Sequence, residues 1–128
     1  MKKFAVTLCL GAFVIALVAG PAAARPQYNK EWQAKYVEGN KNEAFVKAVG
    51  EAKCNVCHDA ASKSKKDRNP YGMALSKFLN KEGFDKSKGD AAAAKKWILE
   101  GFQKAEAEKA ADGKTFGEKL QAGSLPGA

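Results

Sequence analysis

Asn42-Glu43-Ala44-Phe45-Val46-Lys47-Ala48-Val49 leads through Gly50-Glu51-Ala52-Lys53 into Cys54-Asn55-Val56-Cys57-His58, and the fold is read outward from this stretch. Asn42 has the side chain of a helix N-cap, able to accept from the first free backbone N–H groups. Phe45 and Val49 stand four apart, on one face of the helix that the cap starts. The helix is predicted to run into the two cysteines and the histidine. His58 is the only histidine of the chain, and Cys54 and Cys57 are the only cysteines besides Cys9 near the start. A structural zinc site needs four ligands, and this cluster supplies three. A thioredoxin-like centre belongs in a βαβ setting. A plain disulfide between Cys54 and Cys57 is chemically open in an oxidising compartment, but it leaves the adjoining histidine without a reason.

The pattern on either side is helical. Upstream, Trp32 and Tyr36 fall at helical spacing in a segment from Arg25 to Gly39. Downstream, Asp59 to Arg68 is a charged loop of small residues. Asn69-Pro70 then reads as a helix start, Asn as cap and Pro in the first turn. Tyr71, Leu75, Phe78 and Leu79 form its apolar stripe, and the helix is expected to stop near Gly83. Asp90 caps a further helix with the stripe Ala94, Trp97, Ile98 and Phe102, reaching towards Ala111. Gly113 interrupts, and a last short helix carries Phe116 and Leu120 before Gly123-Ser124-Leu125-Pro126-Gly127. No strand-like alternation occurs. The expectation is an all-α fold of four or five short helices.

Cys-x-x-Cys-His is the attachment sequence for c-type haem. Two cysteines three apart lie on one side of a helical turn, at about the separation of the two haem vinyl groups, and each thiol can add across one vinyl to form a thioether. The adjoining histidine projects beneath the ring as proximal iron ligand. Cys54, Cys57 and His58 are therefore the expected holders of one covalent haem c. The segment from Asn42 to His58 resembles the first helix and motif of small monohaem cytochromes c, with Phe45 and Val49 ahead of the motif. The resemblance implies a small cytochrome c-like domain, a helical shell around one haem that exchanges electrons through an exposed edge. It also implies that Trp97 and Phe102 of a late helix pack near Phe45.

The sixth iron position is open on the sequence. Soluble carriers of that family bring a methionine from far downstream, whereas here Met73 follows His58 by 15 residues and matches no family motif. A thioether suits haem iron and raises its potential. Yet Met73 shares its side of the helix with Lys77 and Asn80 rather than with the apolar stripe. Met73, a lysine, Tyr71 or no protein ligand are the candidates; Tyr71 also reads as a core residue with its hydroxyl at the rim. Lys63, Lys65, Lys66 and Arg68 follow the motif directly. They suit either an ordinary solvated loop or a basic surface that steers an acidic redox partner.

The ends bound the compartment. Lys2 and Lys3 precede an uncharged apolar run from Phe4 to Ala19, and Gly20-Pro21 with Ala22-Ala23-Ala24 follow. This is the layout of a secretory signal peptide cleaved after Ala24; the apolar run is short against the about 20 residues of a spanning helix. Residues 1–24 are thus expected to be removed on export to the periplasm, leaving residues 25–128 as one domain, soluble or peripherally attached to a membrane. At 104 residues such a domain is marginal on its own core, and a large apolar cofactor would add burial. The mature chain keeps 20 basic against 14 acidic residues, a formal +6. Nucleic acid is excluded as a partner, because neither the compartment nor any motif suits it. No phosphate-cradling loop, nucleophile elbow or catalytic triad is present, so an enzyme acting alone is not expected. The expected role is one-electron transfer between redox partners. Binding of a diatomic gas at a five-coordinate haem, or service as the haem subunit of a larger oxidoreductase, are the alternatives.

Overall fold

The computed structural model describes residues 26–64 and 66–128, so the expected signal peptide lies outside the described residues. Six α-helices account for most of them: α1 Pro26–Tyr36, α2 Glu43–Ala52, α3 Pro70–Phe78, α4 Lys81–Ser87, α5 Ala91–Glu106 and α6 Phe116–Gln121. β pairing among the described residues is limited to two isolated bridges, His58 with Arg68 and Lys109 with Thr115. The protein is all-α. None of the described helices is long and apolar enough to cross a membrane.

Local chemistry starts most of these helices. The Asn42 side chain accepts from the Phe45 N–H, Asn69 from Gly72, and Asp90 from both Ala92 and Ala93. At α6, Thr115 and Glu118 satisfy each other's backbone N–H groups in a capping box. The count exceeds the four or five expected because the predicted helix from Pro70 to about Gly83 is two. It ends at Phe78, and Asn80 accepts from the Gly83 N–H to start α4. Tertiary packing explains the break. Leu79 sits where Gly101 of α5 has no side chain, and a Cβ there would lie 2.3 Å from Leu79 Cδ2. Helix α2 likewise does not run into the cysteines. It stops at Ala52, Lys53 takes φ of +51°, and Lys53–Val56 forms a 3-10 turn. Helix α5 ends at Glu106, short of Ala111.

Helix α5 is the mast of the domain, packing against α1, α3, α4 and α6. Trp32, Phe45, Val49, Val56, Tyr71, Ala74, Leu75, Leu79, Ile98, Phe102, Ala105, Phe116 and Leu120 form one buried cluster. At about 25 cal/mol per Å² of apolar surface removed from water, such a cluster is the main term holding the helices together. The ring contacts of Trp97 and Phe102 run to α1: Trp97 lies 6.2 Å from Tyr28 and Phe102 6.1 Å from Tyr36. Phe45 is buried in the same cluster, beneath Gly123.

Candidate functional site

The 3-10 turn places its residues unequally. Val56 is buried and anchors the turn in the core, while Cys54 is exposed and Cys57 and His58 are half-buried. Both cysteines are free thiols. The His58 N–H donates to the Cys54 carbonyl at 3.0 Å and the Cys57 N–H to the same oxygen at 3.3 Å, which closes the turn on itself. Burial, with Cys54 nearby, pushes the Cys57 thiol up to about 12. It is therefore a neutral thiol at neutral pH, and Arg68 only partly offsets this.

Beyond His58 the chain makes a loop and returns. The Asp59 N–H donates to the Asp67 carbonyl at 3.1 Å, and the His58–Arg68 bridge lies next to it. His58 Nδ1 lies 3.2 Å from that same carbonyl oxygen. A carbonyl only accepts, so Nδ1 holds the proton and the lone pair of the neutral ring is left on Nε2. Fixing one ring nitrogen by a backbone carbonyl while freeing the other is how a ligating histidine is oriented. The Ser62 hydroxyl bonds to the Asp67 carboxylate and braces the loop from within.

Helix α3 presses on the other side of the turn. The Asn69 N–H donates to the Cys57 carbonyl at 3.1 Å. Its side-chain Nδ2 donates to the carbonyls of Asn55 at 3.0 Å and Val56 at 2.9 Å, while Oδ1 accepts from the Gly72 N–H at 2.9 Å. One amide thus caps α3 and staples it to the cysteine turn. Gly72 lies flat on the same turn, and a Cβ on it would be 1.9 Å from the Cys57 carbonyl oxygen. The sequence pattern marked Asn69 only as a cap and did not mark Gly72. The available signal was a glycine in the first turn of a helix, which weakens it relative to alanine unless another backbone approaches closely. Asn69→Ala is expected to cost about 2 kcal/mol in urea unfolding, and Asn69→Ser, which keeps a capping oxygen, about half of that.

The remaining candidates separate. Tyr71 is fully buried, and its hydroxyl, expected at the rim, accepts from the Trp32 indole N–H at 2.9 Å inside the core. Burial raises its ionisation above the ordinary tyrosine value. Met73 is the exposed large hydrophobic side chain of the domain among the described residues, at 60% of its surface, one residue beyond the Gly72 contact. Lys63, Lys66 and Arg68 are exposed on the loop; Lys65 lies outside the described residues. Among the described residues no three or more His, Cys, Asp and Glu side chains converge as a metal-ion site. Compared with protein-family models, curated proteins and solved structures, the chain matches none.

Proposed function

We propose that the protein is an exported monohaem c-type cytochrome that carries single electrons between redox partners and is not itself an enzyme. The observation that carries the proposal is the Cys54–His58 turn, with two free thiols and a histidine whose Nδ1 is taken by the Asp67 carbonyl. A porphyrin would use these three side chains at different places, the thiols at the ring's edge and the imidazole at its centre. Cys54 and Cys57 would hold the haem by thioethers and His58 would ligate the iron through Nε2. When bound, the haem supplies the one-electron chemistry, and the protein sets its orientation, burial and second ligand. The loop cations Lys63, Lys66 and Arg68 favour an acidic partner near the attachment turn. Export to the periplasm rests on the leader sequence, Met1 to Ala24.

Met73 is the proposed distal ligand, since its thioether is spent on no core contact and it sits at the end of α3 that meets the turn. The test is the purified exported protein, by intact mass and by ferric and ferrous spectra with and without carbon monoxide. The expected result is a chain starting at Arg25 with one covalent haem, low-spin in both oxidation states and slow to bind carbon monoxide. Met73→Ala is expected to add a high-spin component and lower the reduction potential. A haem-free mass after export alongside working attachment machinery overturns the proposal. A ferrous form already high-spin, with rapid carbon monoxide binding, overturns the ligation and moves the role to gas binding.

A further inference from the structure

We infer that the segment Gly123–Gly127 is a positioning strap for the cysteine–histidine turn and that it acts through Asn69. It leaves α6 in a tight turn, with the Gly123 N–H donating to the Leu120 carbonyl at 3.1 Å and the Ser124 N–H to the Lys119 carbonyl at 2.9 Å. Pro126 is fully buried and Leu125 packs on the core, so the segment is seated rather than trailing. The Lys119 ammonium donates to the Ala128 main-chain oxygen, one residue beyond Gly127.

Its two glycines meet the two asparagine caps that flank the cysteine turn. A Cβ on Gly123 would lie 2.1 Å from Asn42 Nδ2, at the start of α2. A Cβ on Gly127 would lie 2.1 Å from Asn69 Nδ2, 2.4 Å from its Cγ and 2.7 Å from its Oδ1. The backbone at position 127 therefore runs against the Asn69 amide and leaves no room for a side chain between them. That amide holds the Asn55 and Val56 carbonyls with one end and the Gly72 N–H with the other. A side chain limited to a few rotamers and roofed by backbone cannot swing away from its three partners. The strap thus fixes the seat of the turn that carries Cys54, Cys57 and His58, on the haem-binding reading of that turn. Gly127 is the cleaner probe of the two glycines, because Gly123 has φ of +75° and resists substitution for its own backbone reason.

Gly127→Ala, Asn69→Ala and the double variant, each as the full-length haem protein, test the strap. The first readout is backbone amide exchange at Gly72, which reports the Asn69 Oδ1 bond directly. Gly127→Ala is expected to speed that exchange about tenfold or more, and to add nothing further once Asn69 is alanine. The second readout is the reduction potential, expected to shift in the same direction for Gly127→Ala as for Asn69→Ala. Unchanged exchange at Gly72 in Gly127→Ala overturns the strap, as does exchange accelerated equally with and without Asn69. Exchange at Gly72 decides the strap and intact mass decides the haem, so failure of one is distinguishable from failure of the other.

Discussion

Gly72→Ala is expected to unfold the protein at markedly lower denaturant than the parent and to reduce the yield of covalent haem. The added methyl would start 1.9 Å from the Cys57 carbonyl oxygen, 2.9 Å from its carbon and 3.1 Å from Arg68 Cβ. Two of these three atoms are backbone, so no rotamer change relieves the overlap. Helix α3 must lift from the cysteine turn, and the Asn69 N–H bond to Cys57 goes with it. Overpacking of this kind, with the loss of hydrogen bonds across the contact, costs about 3 kcal/mol or more. For a domain of this size that lowers Tm by roughly 12 °C or more. The control is Gly50→Ala, in α2, where a Cβ meets nothing within 4 Å; there the better helix propensity of alanine should leave stability unchanged or slightly raised. Equal stability of Gly72→Ala and the parent would contradict the contact.

Replacing Cys54 and Cys57 together by serine is expected to abolish covalent haem, leaving the mass of the polypeptide alone after denaturation. The single variants should differ. Cys54 is exposed, so Cys54→Ser removes one thioether and little packing. Cys57 is half-buried beneath α3, and serine there puts a more polar hydroxyl in an environment that already disfavours a charged thiolate. Both singles are expected to keep one thioether, so that haem attached through it stays on the denatured chain, with a lower yield of covalent haem than in the parent. Cys57→Ser is the less stable protein by about 1 kcal/mol. Serine variants that keep the full covalent adduct would refute attachment at this turn.

Much of the helical skeleton was legible because the caps act locally. Asn42, Asn69 and Asp90 each bond an N–H two or three residues on, and such bonds are written in the sequence itself. The break at Leu79 was not legible, since Leu79 continues the spacing of Tyr71 and Leu75 and is buried with them. What stops the helix is a space left by Gly101, more than twenty residues on. Asn80, whose side chain caps α4, is the one local mark of the break. The early end of α2 was hidden for another reason, because Lys53 takes a positive φ where a glycine would have announced it. At the candidate site the motif residues were plain. Their support was not: the Asp67 carbonyl against His58, the Gly72 backbone against Cys57 and the roof over Asn69 are backbone groups, whose positions no side-chain pattern encodes.

The return of the chain at Arg68 has a consequence for how freely this protein can be altered. Residues 59–67 leave and re-enter the same point, closed by the Asp59–Asp67 hydrogen bond and the bridge between His58 and Arg68. The ends are pinned by these bonds, and Asp67 is also held from inside the loop by the Ser62 hydroxyl and the Ser64 carbonyl. Length added between Ser62 and Ser64 therefore costs one exposed hydrogen bond and closure entropy, about 0.6 kcal/mol per doubling. At the exposed Lys63 the chain is a graft site. A peptide tag or a different pattern of charge could be spliced in a few residues from the cysteine–histidine turn, and the carbonyl that orients His58 would keep its place.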